Sequence, residues 1–240
     1  MNARTPDPDA RIEPAAWAAA MAALERDGHA TLPRLLDAGE CRTLGALAAD
    51  DAPFRKRVVM QQHGYGQGSY QYFRYPLPDL VARLRASLYE RLAPVANAWR
   101  GRLGESGAYP PTLEAFLTEC RAAGQTRPTP LLLRYEAGDY NCLHQDLYGA
   151  LAFPIQATVL LSAPGADFEG GEFLLVEQRP RRQSMGRVVP LAQGDAVLFA
   201  VRHRPALGTR GWHRVTLRHG VSPLRSGLRQ TLGLIFHDAA

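Results

Sequence analysis

Lysine is almost missing from this chain of 240 residues: Lys56 is the only one, and arginine supplies the rest of the 28 basic side chains. Cysteine is scarce too. Cys41, Cys120 and Cys142 are odd in number, far apart and in no C-x-x-C spacing, which argues against a disulfide framework or a thiolate zinc site and leaves reduced, packed thiols. No apolar run approaches the ~18 residues of a membrane span. The opening stretch MNARTPDPDARIEP carries charge and proline where a secretory leader needs an apolar core. A cytoplasmic protein with no membrane segment is expected. Internal repeats, low-complexity tracts and long linkers are also absent from the sequence, so one integrated domain is expected.

Apolar residues make up 46% of the chain, enough for a full-sized core at this length. The net charge of +5 and a pI near 9.4 suit an acidic partner, and the planar fork of arginine suits phosphates and carboxylates. A coding-composition bias would produce the same arginine excess, and net charge alone identifies no partner. The arginines at 179, 181, 182, 187, 202, 204, 210, 214, 218 and 225 are expected to be a solvated face, with a phosphate-binding rim as the alternative.

Up to about residue 127 the pattern is mostly helical. Residues 15–24 (AAWAAAMAAL) are strong helix formers that run to a stop at Asp27-Gly28, and residues 38–49 predict a second helix. Residues 55–76 turn to glycine and aromatics, which predicts a hairpin or ordered loop. Helical spacing returns over 80–99, and a helix over 110–123 is expected to start on Pro110 and Pro111. From Pro128 onward the runs TPLLLRYE, PIQATVLLSA, EFLLVEQ, DAVLFAV, HRVTLRHGV and RQTLGLIFH alternate with turn signals, which predicts an antiparallel β-sandwich or barrel over 128–240. The segment 1–127 is then a helical support carrying the glycine-aromatic loop.

LHQDLYG, residues 143–149, carries the chemistry. In an extended strand side chains two apart leave the same face, so His144 and Asp146 can aim at one metal ion. A third ligand is needed, and His203, His213, His219 and His237 are the downstream candidates. His219 ends one predicted strand, and Arg229 lies on the next, beyond the turn signal SPLRSG; a hairpin would bring the two together. Two histidines and one carboxylate on one face of an octahedral ion leave three adjacent positions, the arrangement of non-haem iron(II) oxygenases. Two of these can hold a 2-oxo acid and one dioxygen, while Arg229 would take the distal carboxylate of the co-substrate bidentately. His213 lacks an arginine at the matching offset and is read as a strand or supporting residue; His203 and His237 are read as structural. The pairs Gly170-Gly171 and Gly194-Asp195 are read as turns without a catalytic role.

The stretch RYEAGDYNCLHQD, followed by GGEF, GDAVLF and HGVSPLRSGLR, resembles the iron(II)- and 2-oxoglutarate-dependent oxygenases, specifically their prolyl-hydroxylase-like branch. The resemblance implies a double-stranded β-helix (jelly-roll) core braced by the N-terminal helices. It implies iron(II) held by His144, Asp146 and His219, 2-oxoglutarate held by Arg229 with Tyr135 lining its pocket, and dioxygen as the second co-substrate. Ascorbate is left open as an accessory reductant. Taken with YFRYPLP, PTPLLLRY, EQRPRRQS and IFHDA, the whole chain is similar to a bacterial group of such oxygenases whose label proposes oxidative repair of damaged nucleic acid.

The expected reaction is hydroxylation of a C–H bond in an amino-acid or protein side chain, with release of succinate and carbon dioxide. Oxidative demethylation of alkylated DNA or RNA is the alternative, with Tyr65, Tyr70, Tyr72, Phe73 and Tyr75 available to stack a base. A non-catalytic module that binds metal or 2-oxoglutarate is a further alternative. The oligomeric state is not predicted.

Overall fold

The computed structural model describes residues 11–240; most of the opening stretch read for a secretory leader lies outside the described residues. No helix among those described is long and apolar enough to cross a membrane. The chain opens with α1 (Pro14–Asp27), which has proline in its first turn and ends on Gly28 at φ 76°, the left-handed geometry that glycine adopts without a Cβ penalty. After β1 (His29–Leu32) comes α2 (Ala38–Ala46), capped reciprocally by Asp37 and Glu40. Its predicted last turn, Leu47–Ala49, is a 3-10 turn. The glycine-aromatic stretch then forms β2 (Phe54–Val59), β3 (Gly66–Gln67) and β4 (Ser69–Phe73), and β2 pairs with β4 as an antiparallel hairpin. Two further helices follow, α3 (Asp79–Arg102) and α4 (Leu113–Ala122).

One expectation fails at α4, which starts after Pro110 and Pro111 rather than on them. Thr112 is the cap, its hydroxyl accepting from the Ala115 amide. A residue that precedes proline is pushed away from helical geometry, so Pro110 before Pro111 cannot begin the helix.

The remaining strands are β5 (Leu131–Glu136), β6 (Tyr140–His144), β7 (Ile155–Leu160), β8 (Phe168–Gly170), β9 (Phe173–Gln178), β10 (Met185–Val189), β11 (Ala196–Ala200), β12 (His203–Gly208), β13 (Gly211–Val221) and β14 (Leu224–Leu234). They make two antiparallel sheets. The major one runs β1-β11-β7-β14-β5-β4-β2 with β8 beside β14, and the minor one runs β10-β9-β13-β6-β3 with β12 beside β13. This is the expected jelly-roll core, and β1 and β2, both from the N-terminal half, form the two ends of the major sheet.

Alternation along the strands sorts the side chains into two layers. On β14, Leu232 and Leu234 join Ala157, Val159 and Leu198 in the large core shared with Trp17 of α1 and Leu84, Leu88 and Tyr89 of α3. Their neighbours Arg229, Thr231 and Gly233 face the opposite way and line an internal cavity. The helices therefore cover one face of the major sheet and leave the other free for a site.

The predicted hairpin between the His219 and Arg229 strands does not form. At its His219 end β13 is already flanked on both edges, by β9 and by β6, so no edge is left for β14 to pair with. The chain instead crosses at Ser222-Pro223 to the other sheet, where β14 lies between β5 and β7.

The C-terminal segment is tied down by buried charge. Arg85 of α3, 1% exposed, reaches Asp238 at 2.8 Å and also donates to the carbonyls of Ile235 and His237. Tyr75 donates to the second carboxylate oxygen at 2.8 Å. Asp238→Ala would strand a buried guanidinium, and a loss of roughly 3–5 kcal/mol is expected. Urea unfolding of the variant measures it; a loss below about 1 kcal/mol would show that the surrounding carbonyls suffice for Arg85.

Candidate metal centre

His144 is the last residue of β6, and His219 lies directly opposite it on β13. Residues distant in sequence thus become a cross-strand pair with ring centroids 4.1 Å apart. Asp146 lies just past the strand end, with Oδ1 3.5 Å from His144 Nε2 and Oδ2 3.3 Å from His219 Nε2. One donor atom from each of the three falls within 4.8 Å of the others, and no other such group of His, Cys, Asp and Glu occurs among the described residues.

Local contacts determine which atoms face inward. His144 donates through Nδ1 to the Cys142 carbonyl at 2.8 Å, which leaves Nε2 with a free lone pair toward the site. His219 is oriented by packing instead: Phe199 lies 4.6 Å away, Phe173 stacks on it at 6.2 Å, and Nδ1 is buried without a partner. Burial, followed by the neighbouring His144, lowers its pKa and keeps it neutral. For Asp146 burial alone would favour the protonated form, but the His219 hydrogen bond and the two imidazoles outweigh it and hold the carboxyl well below its ordinary range. Two imidazoles and a carboxylate are the ligand set of a non-haem iron(II) centre.

A cavity of about 300 Å³ extends from this cluster to Arg229, bounded by Tyr65, Tyr70 and Tyr148 on one wall and by Tyr135 near the far end. Arg229 faces His219 across the interior, and Tyr135 is its cross-strand partner. The guanidinium carbon is 5.7 Å from the Tyr135 ring and 6.0 Å from that of Phe168. Arg229 is 2% exposed and its Nε has no partner. Burial brings its pKa down to about 10, against partial support from Tyr135 and Glu172. Tyr135 is fully enclosed, accepts from Asn141 Nδ2 at 3.3 Å, and is pushed up to about 12 by the same burial. A buried cation with no direct counter-ion among the described residues is poised for an anionic ligand.

The competing histidines lie elsewhere. His213 sits opposite Ala206 in the β12–β13 pair, and His203 opposite Thr216. His237 lies beyond the end of β14 and accepts the Phe153 amide through Nδ1. Cys41 and Cys120 are buried as expected, but Cys142 is exposed; the β6–β13 register shifts between Asn141 and His144, so simple alternation does not carry the His144 face back to Cys142. The ten arginines do not form one solvated face. Arg204 is buried against Glu177, which also binds Arg179, and Arg214 pairs with Glu105.

Sequence reading missed Tyr148, whose hydroxyl donates to Asp146 Oδ1 at 2.9 Å, although it stands inside the LHQDLYG motif. It also missed Gly171, which has φ 61° and where a Cβ would lie 2.3 Å from Leu224 Cδ1 and 2.9 Å from Arg229 Cδ. Glycine there leaves room for the Arg229 stem.

Residues 68–239 match the model of a family described as an oxygenase catalysing oxidative methylation of damaged DNA. Two uncharacterized proteins from two strains of Mycobacterium tuberculosis are each 47% identical over 197 residues, covering 80% of this chain and 84% of theirs. Among solved structures, a Pseudomonas putida prolyl-4-hydroxylase superposes with a TM-score of 0.55 at 14% identity, over 93% of this chain and 99% of that one. An oxidoreductase of the 2OG-Fe(II) oxygenase family from Burkholderia pseudomallei gives 0.53 at 18%, over 96% and 95%. At these identities the superpositions establish a shared fold.

Proposed function

The chain belongs to the oxygenase family whose model it matches, and on that premise we propose that it is an iron(II)- and 2-oxoglutarate-dependent dioxygenase that hydroxylates a C–H bond. The observation that carries this reading is the pairing, in one cavity, of a three-ligand cluster with a buried arginine that has no direct counter-ion among the described residues. A hydrolytic metal site has no use for that arginine, and a 2-oxo dicarboxylate needs it.

In this reading His144 Nε2, the Asp146 carboxylate and His219 Nε2 hold iron(II). Once bound, the metal with 2-oxoglutarate and dioxygen supplies the oxidising power that turns a substrate C–H into C–OH, leaving succinate and carbon dioxide. Arg229 grips the distal carboxylate of 2-oxoglutarate and sets how deeply the co-substrate enters. Tyr135 closes the pocket wall beside it, and Tyr65 and Tyr70 add aromatic surface to the same cavity.

Two substrate classes have separate support. An amino-acid or protein side chain is supported by the motif pattern shared with the prolyl-hydroxylase-like branch. Alkylated DNA or RNA is supported by the family's description and by exposed Arg187 and Arg218 on the sheet that carries both histidines; hydroxylation of an N-methyl group would there release formaldehyde. The test is succinate formation from 2-oxoglutarate under iron(II) and air, with N-methylated oligonucleotides and proline-containing peptides in parallel arms. Iron-dependent succinate is expected, accompanied by formaldehyde in one arm or a single added oxygen atom in the other. Properly folded protein that turns over no 2-oxoglutarate in any arm would overturn the reading in favour of a binding module.

A further inference from the structure

A carboxylate can bind a metal through one oxygen or both, and the choice decides how many positions stay open for co-substrate and dioxygen. In Asp146 the two oxygens have different surroundings. Oδ1 accepts a hydrogen bond from the Tyr148 hydroxyl at 2.9 Å, and that hydroxyl in turn accepts from Tyr72 at 3.2 Å. Oδ2 accepts from no hydroxyl among the described residues; its contact is His219 Nε2 at 3.3 Å, the nitrogen that a bound metal would take up. We propose that Tyr148 is a positioning residue of the metal centre: its hydroxyl occupies Oδ1 and restricts Asp146 to binding through Oδ2, while Tyr72 holds that hydroxyl in its donor orientation. The inference rests on the assignment of His144, Asp146 and His219 as metal ligands.

The surroundings of Tyr148 are built for the task. Its main chain is pinned by Gln125, 1% exposed, whose Nε2 donates to the carbonyls of Tyr148 at 3.2 Å and Leu151 at 2.9 Å while Oε1 accepts the Leu151 amide. Gly149, at φ 87°, leaves room for that contact, since a Cβ there would lie 2.5 Å from Gln125 Cδ. A hydrogen bond from a neutral hydroxyl to a carboxylate is among the stronger kinds in proteins, and it draws electron density from Oδ1 and fixes the carboxylate plane, both of which disfavour metal chelation through that oxygen.

Tyr72 joins the glycine-aromatic hairpin to this arrangement. It lies on β4, with the Arg55 guanidinium 4.5 Å above its ring, Tyr70 edge-on at 5.3 Å and Tyr148 edge-on at 6.5 Å. The hairpin therefore does more than wall the cavity: through Tyr72 it reaches a ligand of the metal. Partners of this outer kind are commonly worth 10–100-fold in metal affinity.

The experiment uses the full chain with Mn(II) for affinity and Co(II) for coordination. Tyr148→Phe removes one oxygen atom, and calorimetry is expected to show Mn(II) affinity lower by roughly 10–100-fold. In the same variant the visible Co(II) bands should lose intensity, because a freed Oδ1 raises the coordination number. Tyr72→Phe should move both readouts in the same direction by a smaller amount. Wild-type affinity together with an unchanged Co(II) spectrum in Tyr148→Phe would overturn the inference while leaving the metal site standing. Wild-type protein that binds neither ion would overturn the ligand assignment, and this inference with it.

Discussion

Asp146→Ala is expected to abolish binding of iron(II), and with it all turnover of 2-oxoglutarate, in a protein that remains folded. Among the described residues the carboxylate is the only anionic donor grouped within 4.8 Å of the two imidazoles, and it offsets the charge of a divalent ion there. Two histidines on adjacent strands would remain, a weaker and incomplete set. The loss should therefore exceed the roughly 10–100-fold typical of outer-shell changes. Stability without metal should change little, because removing Asp146 also removes a buried charge; what it leaves behind is the unmet Tyr148 hydroxyl, at a cost of about 1–3 kcal/mol. Anaerobic titration with iron(II), read by calorimetry beside a thermal melt, separates the two effects. Iron affinity equal to wild type in the folded variant would remove Asp146 from the ligand set.

The parts of the site that sequence made legible are those whose geometry is local or whose partner is dictated by pattern. His144 and Asp146 are two apart at a strand end, so their convergence needs nothing but backbone alternation. His219 was singled out by the arginine that follows it, and the structure does bring it opposite His144. The route to Arg229 was misjudged, because the expected hairpin assumed a free edge on β13. Occupancy of a strand's edges depends on the whole sheet order and cannot be read from the two strands alone. The outcome was nevertheless a shared cavity, since crossing from one sheet to the other brings two inward faces together as readily as pairing does.

What stayed hidden has a common physical cause. Short strands such as β3 and β8, of two and three residues, are too brief to show a period. The hydrogen bonds of Tyr72 to Tyr148 and of Gln125 to the segment after Asp146 span 76 and 23–26 residues, and no local signal marks their ends. Gly171 read as an ordinary turn because only the folded chain shows the Arg229 stem beside it. The burial of Arg204 and its pairing with Glu177 were equally out of reach, since an arginine among other arginines carries no mark of an internal partner.

Arg229→Met should raise thermal stability while destroying the site for 2-oxoglutarate, an unusual combination that tests both halves of the argument about that residue. A guanidinium that is 2% exposed, with Nε unpartnered and a pKa drawn down by burial to about 10, is a cost to the folded state in the absence of ligand. Methionine keeps an apolar stem beside Tyr135 and Phe168 and removes the charge. Replacing buried ionic groups by apolar ones of similar volume is commonly neutral or stabilising by about 1–4 kcal/mol, so the melting midpoint of the ligand-free protein should rise. Removing the cationic end of a desolvated charge pair costs about 2–5 kcal/mol of binding, which is roughly a 30- to 5000-fold increase in the 2-oxoglutarate dissociation constant. Iron(II) binding should survive, because none of the three proposed ligands is touched. Calorimetric titration with 2-oxoglutarate in the presence of metal, set beside a melt without it, measures both. A lowered midpoint with unchanged co-substrate affinity would mean that Arg229 is held by the fold for packing and that the carboxylate anchor lies elsewhere, with Arg225, four residues earlier on the same strand, the first alternative.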